Sequence, residues 1–185
     1  MLIRGKIVTL RPIELEDIEK MREQANDPWF ESMVVGWSFP RSKKEQEEWY
    51  SRYHVSSDAV RVIIDTDFQS SVGLTGLLNI DWKNGTADTA GMRIFSSDFR
   101  GRGIGTDAYM ALIRYAFDEL RLNRINGCIL VHNTASIRTM TKAGFVQEGL
   151  RRQAVYKNGK YIDLLLLGIT KADYYENLQK NPYWE

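Results

Sequence analysis

Apolar and polar positions alternate from Lys6 to Arg11 and stop at Pro12, the signature of a strand. Leu15, Ile18 and Met21 then recur at i, i+3 and i+6, one stripe of an amphipathic helix. A polar and aromatic stretch from Asp27 to Pro40 is unlike a plain linker, and Ser42 with Glu45 has the capping-box spacing that opens a second helix to about Tyr53. Val60 to Asp65 and Val72 to Ile80 read as consecutive strands, and Asp81-Trp82-Lys83-Asn84-Gly85 is the turn into a further strand, Thr86 to Phe95. After the turn Ser96-Ser97-Asp98, apolar residues from Asp107 to Leu120 have helical spacing. Arg124 to Val131 is nearly continuously apolar, which predicts a central, parallel strand buried on both faces. Ala135 to Lys142 is a short helix stopped by Gly144, and Phe145 begins the next extended segment. Asn158-Gly159 marks a hairpin whose second arm is Ile162 to Ile169, and residues 171–185 read as a fraying surface helix or tail.

Composition limits what such a chain can be. Its 185 residues suit one domain, here 1–170 plus the tail 171–185, and 43% hydrophobic with 26% charged residues is typical of an ordered globular protein. A net charge of +1 gives no basis for nucleic-acid binding. No apolar run is long enough for a bilayer and the N-terminal residues lack a signal-peptide pattern, so no membrane association and a cytoplasmic location are expected. His54 and His132 are far apart and in no ligand-spaced motif, so no metal is expected. The single cysteine, Cys128, is expected to be a buried strand residue. No internal repeat is present.

The candidate chemistry centres on Phe99-Arg100-Gly101-Arg102-Gly103-Ile104-Gly105-Thr106, where a strand feeds a helix through three glycines flanked by two arginines. Backbone N–H groups at a helix start have no partner within the helix, and glycines let a phosphate approach them. A P-loop and a dinucleotide fingerprint both fail on spacing. The order of elements, the stretch Arg100-Gly101-Arg102-Gly103-Ile104-Gly105 and, downstream, Asn133-Thr134-Ala135-Ser136 with Lys142-Ala143-Gly144-Phe145 together resemble the GNAT family of acyl-CoA-dependent N-acetyltransferases. The run Glu148-Gly149-Leu150-Arg151, with Asn158-Gly159-Lys160-Tyr161 and Asp163, is similar to the branch of ribosomal-protein N-terminal and spermidine acetyltransferases.

The resemblance implies an α/β (α+β) single GNAT-like domain, with a mixed sheet of about seven strands flanked by about four helices. It implies acetyl-CoA as acetyl donor, coenzyme A as product, and direct transfer in a ternary complex to a primary amine: a peptide N-terminus, a polyamine or an amino sugar. A homodimer is also implied. Met92, Arg93 and Ile94 would pair with the pantetheine arm, and Arg100, Gly101, Arg102, Gly103, Ile104, Gly105 and Thr106 would hold the pyrophosphate, with Arg100 or Arg102 adding charge or one of the two merely solvated. Asn133 would contact the cofactor or cap the following helix. The tyrosine that many members use as an acid is Met140 here, which transfers that role to Ser136 or leaves it unfilled. The usual strand glutamate is replaced by Thr89, leaving Asp81, Asp88, Glu148, His132 or a water chain as base. The acids Glu14, Glu16, Asp17, Glu19, Glu23, Asp27 and Glu31 outnumber Lys20 and Arg22, which reads either as an acidic rim selecting cationic amines or as a solvated helix face. Trp29, Phe30 and Trp37 either wall the cleft or belong to the core. The missing tyrosine and glutamate keep open a second function, a non-catalytic acyl-CoA-binding module.

Overall fold

The computed structural model describes residues 1–36, 39–53 and 57–185; Trp37 and His54, both noted above, lie outside them. Nine strands and six helices are present among these residues, β1 Ile3–Arg4, β2 Val8–Arg11, α1 Ile18–Ala25, α2 Pro28–Met33, α3 Lys43–Tyr53, β3 Val60–Thr66, β4 Gln69–Asp81, β5 Thr86–Thr89, β6 Arg93–Ile94, α4 Ile104–Asp118, β7 Arg124–Leu130, α5 Thr134–Lys142, β8 Val146–Lys157, β9 Lys160–Thr170 and α6 Lys171–Lys180. They form one sheet in the order β1-β2-β3-β4-β5-β7-β9-β8, with β6 also on β4; β5 and β7 are parallel and all other pairs antiparallel.

Local chemistry explains most boundaries. Ser42 and Glu45 close the expected capping box at α3, with Ser42 N donating to Glu45 Oε2 at 2.7 Å and Glu45 N to Ser42 Oγ at 3.2 Å. Asp27 accepts from Trp29 N at 2.9 Å and Pro28 occupies the first helical position, so the aromatic stretch contains a helix, α2. Asn158 and Gly159, at φ 49° and 78°, make the tight turn between β8 and β9.

Helix α4 packs one face of the sheet, joining Ile104, Ala108, Met110 and Phe117 to Leu10, Val62, Leu77, Ile125 and Ile169. Under α1 and α3 on the opposite face, Ile18 and Met21 meet Ile63 and Leu74. Four expectations change. Thr86 to Phe95 is two strands separated at Ala90–Met92. The sheet has more strands than expected, through that break and the short β1. Strand β7 pairs with β5 over three residues only and has one accessible face, on which Cys128 is exposed. The segment 171–185 docks: Tyr174 is 1% exposed and packs on Phe117, and Trp184 Nε1 donates to its hydroxyl at 2.8 Å.

Candidate active site

The parallel pair β5–β7 is in register at Thr86–Arg124, Ala87–Ile125 and Asp88–Asn126 and then comes apart. Gly91 adopts φ +79°, a backbone conformation that glycine accommodates without strain, and β6 returns to β4 while β7 continues through Gly127–Leu130 on β9 alone. Three hydrogen bonds hold this break: Ala90 N to Gly76 O at 2.9 Å, Thr75 Oγ1 to Gly91 O at 3.0 Å and Gly91 N to Thr89 Oγ1 at 3.1 Å. The outcome is a wedge with two backbone edges. Phe95 N bonds Val72 O on β4, so strand alternation turns the backbone groups of Ile94 and Met92 the other way, into the wedge. Gln24 Nε2 donates to Ile94 O at 3.1 Å, and its buried Oε1 has no protein partner.

The glycine arch meets this wedge. A short 3-10 turn, Ser97–Phe99, leads to Gly101 (φ +73°) and Gly103 (φ +82°), and Asp107 N, bonding Gly103 O at 3.0 Å, is the first backbone donor of α4 to find a partner. The backbone donors of Gly101 to Thr106 have none among the described residues, which makes a concave anion cradle at a helix start. A Cβ on Gly105 would lie 3.3 Å from Thr139 Cγ2 and 3.6 Å from Met92 Cγ, so glycine lets the arch, β6 and α5 come together. The two arginines differ. The Arg100 guanidinium stacks 4.1 Å from the Trp29 ring centroid, whereas Arg102 is exposed and in no salt bridge among the described residues.

On the far side, Asn133 caps α5 by accepting from Ser136 N at 3.1 Å, and its Nδ2 donates to Met33 O at 2.9 Å. His132 Nε2 lies 3.1 Å from Ser32 O, and buried Lys157 pairs with Glu31 and donates to Gly36 O at 2.7 Å. These contacts strap α2 and the residues after it across the wedge. Lys157 gave no signal in sequence, because its partners lie more than a hundred residues away. Ser136 is half-buried in the first turn of α5. Met140 is buried and its Cε occupies the space above Gly127, where a Cβ would lie 2.4 Å away.

A cavity of about 210 Å³ opens on the α1/α3 side of the break and ends on Ala90 and Gly91. Its charged wall residues are Arg41, Arg61 and Arg93, with no carboxylate among the described lining residues. Burial, and then the charges of Arg41 and Arg61, hold Arg93 below the usual arginine range. The acidic rim is therefore not what faces this cavity. Asp17 is bound by Arg11 at 2.6 Å, Glu19 by Arg22, Glu31 by Lys157, and Asp27 caps α2. Phe30 is buried with Arg93 5.1 Å over its ring, and Trp29 is half-exposed under Arg100.

The base candidates separate by environment. Asp81 is the last residue of β4, where hydrogen bonds from Asn84 in the following turn hold it below the ordinary carboxyl range. The Arg124 guanidinium does the same to Glu148. Asp88 shares a sheet face with Leu78 of the cavity wall and accepts from Asn79 at 2.9 Å and Asn126 at 3.1 Å. Burial pushes the Tyr109 phenol up to about 12. Partial desolvation, with the Asp88 charge, raises the Cys128 thiol, so exposure does not make it a thiolate nucleophile.

The family described as acetyltransferase (GNAT) domain matches residues 8–146. The SPbeta prophage-derived uncharacterized N-acetyltransferase YokL of Bacillus subtilis is 30% identical over 170 residues, covering 92% of this chain and 93% of its own. The spermidine N(1)-acetyltransferase of Vibrio cholerae is 26% identical, covering 90% and 95%. A crystal structure of spermidine N-acetyltransferase from Vibrio cholerae, in complex with CoA and spermine, superposes with a TM-score of 0.84 over 92% of this chain and 99% of that one at 23% identity.

Proposed function

The chain belongs to the GNAT acetyltransferase family, and on that premise we propose that the wedge and arch are the acetyl-CoA site of an N-acetyltransferase acting on a primary amine that enters through the arginine-lined cavity. The observation that carries this reading is the run of unpaired backbone donors from Gly101 to Thr106 at the mouth of a split sheet. Those residues fit a pyrophosphate, and Arg102 adds a free positive charge beside them. The backbone groups of Met92 and its neighbours fit an extended amide-bearing chain laid against the sheet.

Acetyl-CoA supplies the acetyl group as a thioester. The chain's residues do the rest. A backbone N–H on the open edge near Met92 would stabilise negative charge on the carbonyl oxygen. The neutral amine attacks the carbonyl carbon from the cavity that ends on Ala90 and Gly91; the C–N bond forms, the C–S bond breaks, and the proton lost by nitrogen balances the thiolate that leaves. Ser136 would deliver that proton, and Asn133, through its bonds to Ser136 N and Met33 O, would hold α5 and α2 around the wedge. Asp88, which shares a sheet face with Leu78 of the cavity wall, would be the proton acceptor on the acceptor side. A second copy has a candidate docking edge in the outer strand β8, where Val146, Leu150 and Tyr156 are exposed. Among the described residues no helix is long and apolar enough to cross a membrane.

Arg102→Glu tests the site. Charge repulsion at the pyrophosphate should weaken acetyl-CoA binding about tenfold or more in calorimetric titration. Unchanged affinity would remove the arch from the site. Intact binding with no thiol release from any amine tried would favour the acyl-CoA-binding module.

A further inference from the structure

Resting on the reading of the wedge as the acetyl-CoA site, we propose that Gln24 is a positioning residue for the cofactor: its side-chain amide, carried by α1, locks the Ile94 carbonyl and so sets the free edge of β6 along which the amide-bearing arm of acetyl-CoA lies. Strand β6 needs such a lock. It is two residues long, follows the turn at Gly91 and pairs with β4 only at Gly73 and Leu74. The peptide joining Ile94 to Phe95 is gripped from both sides. Phe95 N donates to Val72 O at 2.9 Å on the β4 side, and Ile94 O, which points the other way, accepts from Gln24 Nε2 at 3.1 Å.

Helix α1 presents the amide from a fixed point. Met21, Gln24 and Ala25 share one face of the helix, and Met21 packs that face on Ile63 and Leu74. The flanking residues tie it at both ends, Asp17 to Arg11 at 2.6 Å and Asn26 to the Arg41 backbone at 2.7 and 2.9 Å. Gln24 is 7% exposed, and its partner sets the orientation of its amide, because the opposite orientation would place Oε1 against the Ile94 carbonyl. The buried Oε1 is left unpaired. A leucine of similar size would fill the same space without burying an unpaired acceptor, so packing does not account for a glutamine at this position. Its one hydrogen bond to the wedge edge does. A carbonyl oxygen has two lone pairs, so Ile94 O held by Gln24 can still accept from an amide of the ligand, and Ile94 N faces the same way as a donor.

Gln24→Leu in the full chain tests this by amide hydrogen exchange with and without saturating CoA, together with calorimetric titration of CoA. In the wild type, CoA should protect the amides of the arch, Gly101 to Thr106, and that of Ile94. In Gln24→Leu the arch should stay protected while protection at Ile94 falls about tenfold, and CoA affinity should fall about five- to tenfold, the size of one hydrogen bond. The urea midpoint without ligand should match the wild type, because an unpaired buried acceptor is removed together with the hydrogen bond. Gln24→Met, unbranched and also without a donor, should repeat both effects and keeps the test open if leucine does not fit. Equal Ile94 protection in wild type and variants overturns the proposal. So does a loss of CoA affinity that merely tracks a loss of stability, which would make Gln24 a packing residue. Absence of CoA protection in both the arch and β6 of the wild type would defeat the acetyl-CoA reading of the wedge itself, and the proposal with it.

Discussion

At the residue scale, Met140 decides what kind of acid this site can contain. It stands where many relatives of the resembled family carry a tyrosine, and the structure gives the reason for the exchange in local steric terms. Met140 Cε fills the space a Cβ on Gly127 would occupy, between α5 and the floor of the wedge. A tyrosine would overpack that space, at roughly 1–3 kcal/mol, so it would not restore an acid without shifting α5. In the mechanism proposed above, proton delivery is assigned to Ser136, four residues earlier on the same helix. Because a thiolate of pKa about 8.5 leaves readily, the contribution is modest: Ser136→Ala should lower kcat about tenfold at neutral pH, less at alkaline pH, and leave CoA affinity unchanged. An unchanged kcat at both pH values would reduce the hydroxyl to part of the helix start.

At the element scale, α4 carries the arch, and its position depends on one buried carboxylate. Asp107, 1% exposed, accepts from Lys6 N at 2.9 Å, Ile7 N at 2.7 Å, Val8 N at 3.0 Å and Tyr183 Oη at 2.7 Å. Asp107→Asn would aim an amide donor at a ring of donors, so urea unfolding should show a loss of about 3 kcal/mol, accompanied by weaker CoA binding as the arch loosens; a variant of wild-type stability would contradict this account. None of this was legible from the sequence, where Asp107 is only an acid in the first turn of a helix and its partners lie 76 to 101 residues away. What was legible is whatever short-range chemistry specifies: the Ser42–Glu45 box, the Asn158-Gly159 hairpin and the glycine arch itself. The break at Ala90–Met92 was not, because it arises from competition between β4 and β7 for the same strand, and only Gly91 hints at it. Arg61 and Arg93 were not legible as neighbours for a related reason. Each reads as one charge in a strand, and the register across β3, β4 and β6 is what brings them into one cavity.

At the scale of the whole molecule, the two chain ends meet on α4 and act as its outer clamp. The turn between β1 and β2 and the first residue of β2 supply three of the four donors to Asp107, and Tyr183 supplies the fourth. Trp184 extends the contact: its Nε1 bonds the Tyr174 hydroxyl at 2.8 Å, and the Arg114 guanidinium of α4 lies 3.7 Å from its ring centroid. Lys6 Nζ donates to Glu185 O at 3.0 Å, closing the N-terminal turn onto the C-terminal residues. Deleting residues 181–185 would strip one hydrogen bond from the buried carboxylate, expose part of Tyr174 and remove an aromatic–cation stack from the back of the helix whose front carries the arch. The summed loss is of order 3 kcal/mol, from the lost buried hydrogen bond and aromatic packing. For a chain of this length that corresponds to a fall of about 6–12 °C in the midpoint of thermal unfolding. Saturating CoA should recover part of that fall, because a ligand bound at the front of α4 stabilises the folded state by mass action whether or not the clamp is present. A truncated chain that melts with the intact one would show that the arch is held from the β1–β2 side alone.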